Sequence, residues 1–279
     1  DSREKRVGDF GTGWTLGVKN VRLEKDGRIG KDWQQTVASG FLPRYCLAPT
    51  RPHVVTITFP DGKVYRFQAS TSPQCMQIYP ITNASVVFKP LAGDTGTQGA
   101  TLVSLGGTEV YVQGGTGPAE LFNYGDLRTY DPTLFKLTTA DGSSYVIDQA
   151  LGVRSMTDAN GNTLTVNASG IVHSSGKSVT FTRDARGRIT RITDPAGSVM
   201  TYAYDAAGDL VGFTDRENNA TTFAYNSSHG LLAIKDPQGR HPIRNEYDDA
   251  GRLVSHTDAL GKTITYEHDL DGRREKIVD

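Results

Sequence analysis

The sequence predicts an all-β protein whose last third is an array of repeated antiparallel hairpins. A 21-residue period runs through that third, as expected for stacked copies of one supersecondary unit. Glycine is abundant, with 31 copies, and Tyr, Thr and Val recur between turn residues, which favours strands. We find no amphipathic pattern long enough for a helix of four turns.

The repeat is marked by an Asp or Asn that begins a turn and by a glycine that follows it. The first marker recurs at steps of 21, 21, 22 and 21 residues, and the glycine comes three residues later, or four in the third copy. An Asp about ten residues after the first marker begins a second turn. The first markers are Asp184, Asp205, Asn226, Asp248 and Asp269, their glycines are Gly187, Gly208, Gly230, Gly251 and Gly272, and the second markers are Asp194, Asp215, Asp236 and Asp258. The period argues for a scaffold before it argues for an enzyme.

One unit, from Tyr247 to Glu267, shows how the sequence predicts two turns and two strands. Residues 248–251 form the first turn, because an Asp side chain bonds the backbone two residues on and Gly accepts a positive φ. Residues 252–257 and 262–267 are the two strands, with the second turn between them. In another unit Asn218 stands where this turn has Gly, and Asn is the next residue most tolerant of left-handed geometry.

The second strand of each unit separates an apolar face, which we assign to the core, from a polar face. Aromatic and β-branched cross-strand pairs on such a face contribute about 0.2–1 kcal/mol each. Asn245 interrupts this aromatic ladder and is expected to weaken one rung. The sheet formed by these strands cannot bury both of its edges. It must therefore curl, meet the N-terminal part or continue into more chain. The apolar-face residues are Met200, Tyr202, Tyr204, Thr221, Phe223, Tyr225, Ile243, Asn245, Tyr247, Ile264, Tyr266 and His268.

Residues 1–150 are predicted to be an irregular β-rich segment that leads into the repeats at residues 151–279. Two hairpins are expected here, each turning at an Asp-Gly pair: residues 51–59 with 63–67, and residues 134–139 with 143–147. The stretch from Leu91 to Gly117 is rich in Gly and Thr and is predicted to be a long exposed connection with one strand at residues 108–113. Residues 31–38 fit either a short helix or a strand.

Bulk composition excludes several classes of protein. Thirty basic and 31 acidic side chains give a formal net charge of -1, without the basic excess of a nucleic-acid-binding protein. No run of 18 apolar residues occurs, so no membrane span is expected. The chain begins at Asp1 rather than Met and shows no signal peptide, so we expect a processed or excised piece of a longer protein. Cys46 and Cys75 fit either a disulfide in an oxidising compartment or two unpaired buried thiols.

Several turn segments resemble those of a known family. Residues 204–208, 249–253 and 257–261 resemble the YD repeat of the Rhs (rearrangement hotspot) family, in which Tyr-Asp-x-x-Gly-Arg-Leu is followed by Thr-Asp-x-x-Gly. The resemblance covers residues 151–279 in four clear copies, and residues 10–14 resemble the segment that leads into such repeats. The departures are Arg183 and His268 in place of Tyr, Asn226 in place of Asp and Lys235 in place of Thr.

The resemblance implies a spiralling β-sheet shell made of YD-repeat hairpins. In bacterial polymorphic toxins and insecticidal toxin complexes such a shell encloses a C-terminal effector, and in teneurins a related barrel is part of a cell-surface adhesion receptor. Four repeats are too few to close a shell, so this chain is expected to be a fragment or a short relative.

We therefore expect a structural shell segment that encapsulates or carries a C-terminal toxin effector, with no catalysis of its own and no cofactor or metal. The expected partners are that effector or the rest of the parent shell, and the expected location is outside the bacterium or at its surface. The alternative is a cell-surface module that binds carbohydrate or a receptor, which would require the tyrosine face to line an open concavity.

The residues expected to carry the repeat are structural. They are Tyr204, Asp205, Gly208, Tyr225, Gly230, Tyr247, Asp248, Gly251, Arg252, Tyr266, Asp194, Asp215, Asp236 and Asp258.

Other candidate sites are better explained as turns or packing. Residues 194–197 and 236–239 are similar to the Asp-Pro-x-Gly self-cleavage core of Rhs proteins, but Ser198 and Arg240 stand where that family has Leu or Trp. Residues 11–17 lack the third glycine spacing of a nucleotide loop, and residues 269–272 lack the rest of a calcium loop. The six histidines share no face, and no GxSxG, HExxH or P-loop pattern occurs.

Overall fold

The computed structural model describes residues 7–278, and this range contains no α-helix. Strands and short turns make up almost all of the regular structure, with two 3-10 helices at Gly17–Lys19 and Thr95–Thr97. Neighbouring strands run antiparallel throughout the pairings described. The predicted all-β antiparallel fold is therefore confirmed.

The strands follow one another closely along the chain. They are β1 (Val7–Gly8), β2 (Gly11–Thr12), β3 (Arg22–Lys25), β4 (Trp33–Ala38), β5 (Arg44–Pro49), β6 (Val54–Thr58), β7 (Val64–Ser72), β8 (Cys75–Gln77), β9 (Asn83–Pro90), β10 (Thr101–Ser104), β11 (Glu109–Gln113), β12 (Gly117–Asn123), β13 (Leu134–Thr138), β14 (Ser144–Asp148), β15 (Gly152–Thr157), β16 (Thr163–Asn167), β17 (Gly170–His173), β18 (Ser178–Arg183), β19 (Ile189–Thr193), β20 (Val199–Tyr204), β21 (Leu210–Thr214), β22 (Ala220–Tyr225), β23 (Leu231–Lys235), β24 (Ile243–Tyr247), β25 (Leu253–Asp258), β26 (Thr263–Asp269) and β27 (Arg274–Val278).

The chain divides into two compact units. The body unit comprises Gly17–Asn167 and Val172–Gly176, and the repeat unit comprises residues 7–16, Ala168–Ile171 and residues 177–278. The predicted boundary between residues 150 and 151 stays a prediction, and residues 1–6 and 279 of the two predicted domains lie outside the described residues.

In the body unit, three runs of strands meet at β9. One run has the order β3-β6-β7-β9, the second β9-β10-β13-β14-β15-β16 and the third β9-β11-β12-β4-β5-β8. The two predicted hairpins are present as β6–β7 and β13–β14. Residues 33–38, which fitted a helix or a strand, form β4, since their backbone pairs with both β5 and β12.

The core of the body unit is a single cluster of buried apolar side chains. Its largest members with almost no exposed surface include Trp33, Tyr130, Phe67 and Phe135. The Trp33 indole donates a hydrogen bond to the Ile29 carbonyl at 2.7 Å, and the Tyr130 hydroxyl lies 2.8 Å from the hydroxyl of Ser104. The polar atoms of these two aromatic side chains are therefore satisfied, as burial requires.

The stretch from residue 91 to residue 117 is not a long exposed connection, and that prediction was wrong. It contains β10 as well as β11, and Leu102 and Val110 are 3% and 0% exposed. Leu102 pairs with Leu137 of β13, so the short strand is covered on one face by the core. The sequence concealed β10 because its buried positions alternate over only four residues between Gly-rich turns, too few for a clear period.

The repeat unit is a meander in which each strand from β19 to β27 pairs with the one before it. Each repeat contributes two strands and two turns, as predicted. The last strand, β27, pairs with β26, and no pairing within residues 7–278 joins it to a further strand. The sheet is therefore open at this edge.

A bulge recurs at the end of the second strand in four successive copies of the repeat, and the pairing of β26 with β27 shows no such shift. The register shifts between Thr182 and Arg183, Ala203 and Tyr204, Ala224 and Tyr225, and Glu246 and Tyr247. These positions lie immediately before the Asp or Asn of the first turn. Because a bulge bends a strand and increases its twist, a regular bulge gives the sheet a regular curvature.

The positive-φ position is fixed by residue count rather than by glycine. It lies three residues after the markers from Asp184 to Asp258, and Asn218 occupies it with a φ of 64°, in agreement with the sequence prediction. In the third copy His229 occupies it with a φ of 65°, so Gly230 does not have the predicted role. The reason is that the backbone N–H three residues after the marker must reach the marker's carbonyl, as His229 does to Asn226 at 3.2 Å. After Asp269 the positive φ of 50° belongs to Arg273, four residues on, so Gly272 does not have the predicted role.

Candidate functional site: turns and aromatic face of the repeat sheet

Most repeat turns are closed by an Asp carboxylate that accepts backbone hydrogen bonds, and the amide oxygen of Asn226 accepts in the same way from Ser228 and Gly230. In one turn, Oδ1 of Asp248 accepts from the N–H groups of Ala250 and Arg252 at 3.0 and 2.9 Å. Oδ2 of the same residue accepts from Nε of Arg252 at 2.6 Å. One side chain thus satisfies two backbone donors and orients the Arg that begins the next strand, which is why Asp is preferred at this position.

The residue four positions after the marker determines how the second carboxylate oxygen is used. An Arg side chain donates a hydrogen bond to this oxygen in the turns that begin at Asp184, Asp236 and Asp248. An Asn side chain donates to it in the turns that begin at Asp158 and Asp215. In the turn of Asp205 this residue is Asp209, which cannot donate. Asp209 is 3% exposed and instead accepts from the His229 ring at 2.9 Å, across one repeat.

Hydrogen bonding lowers the pKa of several turn carboxyls, among them those of Asp215 and Asp248. The side chain and then the backbone N–H of Asn219 hold the pKa of Asp215 below its ordinary value of 3.8. For Asp248 the backbone N–H of Arg252 is the largest cause of the lowered pKa, partial burial opposes it, and the Arg252 side chain adds to it. The turns are therefore most stable with charged carboxylates.

The aromatic face of the sheet uses its hydroxyl groups internally. The Tyr204 hydroxyl donates to the Ile189 carbonyl at 2.5 Å, and the Tyr247 hydroxyl donates to the Leu231 carbonyl at 3.0 Å. His268, which takes the place of Tyr in the last copy, lies with Nε2 at 2.7 Å from the Leu253 carbonyl. The shared requirement is therefore a ring with a polar tip that reaches the carbonyl of the first residue of the preceding strand.

Asn245 does not weaken the ladder in the way the sequence predicted. Its Nδ2 donates to the Leu231 carbonyl at 2.8 Å, and its Oδ1 lies 2.8 Å from Nδ1 of His256, its cross-strand partner. A polar pair therefore replaces an apolar pair at this rung, with both groups hydrogen-bonded. The sequence signal was available, since Asn245 and His256 depart from the pattern in neighbouring strands.

Residues 7–16, which we call the lead-in segment, pack on the aromatic face of the first repeats. The Phe10 ring lies 4.7 Å from the Tyr202 ring, and the Trp14 ring lies 5.4 Å from the Phe223 ring. The Trp14 indole donates to the Tyr225 hydroxyl at 2.8 Å. Burial raises the pKa of Tyr225 to about 12, so its hydroxyl stays protonated.

Two polar contacts fix the register of the lead-in segment on the sheet. The backbone N–H of Ile189 donates to the Asp9 carbonyl at 2.8 Å, and the Arg183 guanidinium bonds the Asp9 carboxylate at 2.7 Å. Arg183 stands where the family pattern has Tyr, and this contact explains the departure. The lead-in segment therefore covers the core of the repeat unit that contains Ile189, Ile192 and Leu210.

The predicted repeat residues do not gather at one point. Their carboxylates lie at the turns, and the rings of Tyr204, Tyr225, Tyr247 and Tyr266 lie along the half-buried face. Gly208 approaches the lead-in segment closely, because a Cβ on Gly11 would lie 2.7 Å from the Gly208 carbonyl oxygen. Arg252 bonds Asp248, and Gly251 has a φ of 76°.

No group of three or more His, Cys, Asp or Glu side chains within residues 7–278 is placed to hold a metal ion. A shallow 630 Å³ depression in the body unit is lined by Asp32 and Glu120, but these form ion pairs with Arg51 and Lys31. None of the helices in this range has the length and apolarity needed to cross a bilayer.

The two Asp-Pro-x-Gly segments are repeat turns in the structure. Oδ1 of Asp194 accepts from the N–H groups of Ala196 and Ser198 at 2.8 and 2.9 Å. Oδ1 of Asp236 accepts from Gln238 and Arg240 in the same way. At both segments the carboxylate is therefore used to close the turn.

Comparisons with known proteins agree with this geometry. Residues 153–278 match the family model described as Teneurin YD-shell. No curated protein matches the chain. Over residues 153–278 the chain resembles the YD-repeat family of β-sheet shells.

Solved structures similar to the chain include TcdB2-TccC3-Cdc42 and TcdB2-TccC3. The first has 13% sequence identity and a TM-score of 0.22, and the match covers 82% of this chain and 16% of that one. The second has 13% identity and a TM-score of 0.24, covering 82% of this chain and 17% of that one. The chain thus spans about a sixth of the length of the chains it matches.

Proposed function

We propose that the chain is a structural segment of an Rhs/YD-repeat shell, and that its parent protein encapsulates or carries a C-terminal effector. The observation that carries this proposal is the way the repeat unit uses the residues that recur in each copy. Its turn carboxylates close turns, and Tyr204, Tyr225 and Tyr247 direct their hydroxyls into hydrogen bonds within the unit. These residues stabilise the sheet, and few of their polar groups remain to bind a substrate.

The repeated bulge and the open edge suit a wall that extends by adding identical hairpins. Four successive copies add a bulge that bends the sheet, and the backbone groups on the free edge of β27 are available to pair with a further strand. The parent is expected to continue the sheet in this way.

The chain has no catalytic activity of its own in this proposal. Purified chain should show no turnover in screens for hydrolase and transferase activity above a sample in which the protein was heat-denatured. Reproducible turnover that copurifies with the folded chain would contradict this part of the proposal.

The shell function is tested on the parent protein. Sequencing the native transcript beyond the codon for Asp279 should reveal more YD repeats, then an Asp-Pro-x-Gly-Leu segment and an unrelated tail. Protease treatment of the intact parent should leave that tail uncut, and the same treatment after acid unfolding should degrade it. A stop codon at this point, or a tail cut as fast as in the unfolded parent, would contradict encapsulation.

We place the protein outside the bacterium or at its surface. Cys46 and Cys75 are joined by a disulfide bond, and such bonds persist in oxidising compartments. This contact supports the disulfide alternative of the sequence analysis. Mass spectrometry of the parent isolated from its native source with thiols trapped should recover the two cysteines cross-linked.

A carbohydrate-binding module is the second candidate, and the ladder tyrosines give it little support. Their rings are half-buried and the hydroxyls of Tyr204, Tyr225 and Tyr247 are hydrogen-bonded, so a sugar at these rings would have to displace Trp14 or the sheet's own carbonyl contacts. A glycan array probed with the purified chain distinguishes the two functions, because the shell proposal expects no retained glycan.

A further inference from the structure

The body unit carries an exposed apolar tip at the outer ends of three strands. We call residues 37–45 and 76–79 the β4–β5–β8 tip. Its exposed apolar side chains are Val37, Phe41, Leu42, Met76, Ile78 and Tyr79, with exposed fractions of 47%, 102%, 45%, 40%, 47% and 67%. Single exposed apolar residues are ordinary on a protein surface, but a contiguous group marks an interaction site.

The tip is held in place by backbone pairing and a covalent bond. Val37 pairs with Tyr45, and Tyr45 pairs with Met76, so the three side chains form one row across the sheet. The disulfide between Cys46 and Cys75 joins β5 to β8 beside this row, and the Ile78 N–H donates to the Pro43 carbonyl at 2.8 Å. The apolar groups are therefore presented on a built scaffold.

The exposed row lies on a sheet face whose neighbouring side chains, two residues along the strands, are buried in the body unit. Side chains two positions apart on a strand share a face, so Val37 follows Gln35 and Tyr45 precedes Leu47 on that face. Gln35 and Leu47 are 0% and 2% exposed. Beyond Gln35 and Leu47 the same face becomes exposed to solvent, and its side chains there are Val37, Tyr45 and Met76 instead of charged residues.

Charge distinguishes the tip from the rest of the chain. Residues 33–50 contain one charged side chain, the exposed Arg44, and residues 70–82 contain none. Both segments lack Asp and Glu, although the whole chain has 31 acidic side chains. An apolar patch whose only charge is basic complements a negatively charged surface.

The shape of the tip favours a lipid surface over a protein. Residues 38–42 are all exposed and project Phe41 fully into solvent. A protein partner would need a matching groove and roughly 20–30 residues on each side of a stable interface, whereas a fluid lipid interface accommodates a few projecting side chains. Aromatic side chains with one polar end, such as Tyr45 and Tyr79, are suited to the boundary between headgroups and acyl chains.

We propose that the β4–β5–β8 tip docks on an anionic membrane surface. Phe41 and Leu42 enter the interfacial layer, and Arg44 meets lipid phosphate groups. This function is separate from the shell function of the repeat unit.

The test is vesicle co-sedimentation of the full chain with phosphatidylcholine vesicles, with and without phosphatidylglycerol. We expect binding to the anionic vesicles, weakened by added salt. Replacing Phe41 and Leu42 together with Ser should lower the partition coefficient at least ~100-fold, given the transfer free energy of two buried side chains. Leu260→Ser is the matched control, because Leu260 is 94% exposed but lies in the repeat unit.

Two further variants, Arg44→Glu and Phe41→Trp, separate insertion from nonspecific adsorption, and Arg154→Glu is the control for the first. Arg44→Glu should weaken binding to anionic vesicles, and Arg154→Glu, an exposed site in the body unit, should have a smaller effect. Phe41→Trp should show a blue-shifted emission on binding and quenching by brominated lipid. No sedimentation, equal loss in the Leu260→Ser control, or unshifted Trp emission would each overturn the proposal. The proposal would also be overturned if the chain formed a dimer and bound no vesicles, and if the Phe41→Ser and Leu42→Ser double variant were monomeric. A second copy of the chain would then cover the tip.

Discussion

At the residue scale, the repeat depends on a few positions where one residue type satisfies several constraints. Asp at the turn marker accepts two backbone hydrogen bonds, and its second oxygen orients the side chain four residues on. The ladder position needs a ring with a polar tip, which Tyr204 and His268 both provide. These rules explain substitutions that would otherwise look like decay of the repeat.

The left-handed position in the second turn gives a direct test of backbone constraint. Asn218→Ala is expected to lower the free energy of unfolding by about 1 kcal/mol, because a residue with a Cβ and no local polar group pays for positive φ. Asn218→Gly should be neutral or stabilising. Urea denaturation measures both, and Glu217→Ala in the same turn is the control. Equal losses for the two Ala variants would refute the assigned constraint.

The turn carboxylates predict how stability depends on pH. The folded pKa of Asp248 is below 3.8, so its contribution is complete above the unfolded pKa and is lost as pH falls through the folded value. Asp248→Asn should lower the urea midpoint at neutral pH, and the difference from wild type should shrink below about pH 4.

The neighbouring carboxylate in the same turn provides the control for this effect. Asp249 is exposed and is not at the turn-marker position, so Asp249→Asn should leave the urea midpoint and its pH dependence unchanged. A difference between Asp248→Asn and wild type that stays constant on acidification would contradict the assignment.

At the element scale, two features decide how the hairpins become a sheet with a covered core. The bulges before the first four turn markers bend the sheet at regular intervals, and the lead-in segment covers the aromatic face with Phe10 and Trp14. Residues 10–14 were recognised from the sequence as a lead-in, but their contacts with Tyr202, Phe223 and Tyr225 were not.

The close approach of the lead-in segment to the sheet predicts a strong effect at Gly11. It has a φ of 92°, and an added Cβ would lie 2.7 Å from the Gly208 carbonyl oxygen. Gly11→Ala should therefore displace residues 7–16, increase protease cleavage there and destabilise the repeat unit by more than about 1 kcal/mol. Gly17→Ala is the control, because no atom lies within 4 Å of its added Cβ. Equal resistance to cleavage in both variants would count against the proposed packing.

At the scale of the whole molecule, the chain combines an irregular body unit with a periodic repeat unit. The body unit has the larger single core, and its stabilisation includes the disulfide of Cys46 and Cys75. The repeat unit carries the family match, and its turns and ladder repeat from one hairpin to the next.

Reduction should destabilise the body unit selectively. The two cysteines are 29 residues apart, and loop-closure entropy assigns such a cross-link about 3–4 kcal/mol. The Cys46→Ser and Cys75→Ser pair should lower the denaturation midpoint followed in the body unit by hydrogen exchange, with β20–β25 unaffected. A reducing agent should do the same to wild type and have no further effect on the double variant.

The sequence alone determined the repeat unit closely, because its information is local and periodic. Turn chemistry at Asp248 and Gly251, alternation along residues 199–204 and tolerance of positive φ at Asn218 all depend on residues within one hairpin. The sequence provided an incomplete account at Gly230 and Asn245. The deciding factor was the number of residues after the turn marker at the first position and the cross-strand partner at the second. His229 lies three residues after the turn marker, and His256 lies across the strand from Asn245.

Only the tertiary structure decided the contacts between residues far apart in sequence. It paired β10 with β13, seated Trp14 on Tyr225, joined Cys46 to Cys75 and left the β4–β5–β8 tip exposed. None of these follows from periodicity, because each depends on which distant surfaces meet when the apolar faces are buried. The sequence thus determines the repeated hairpin, and long-range packing determines what the hairpins cover and what they leave free.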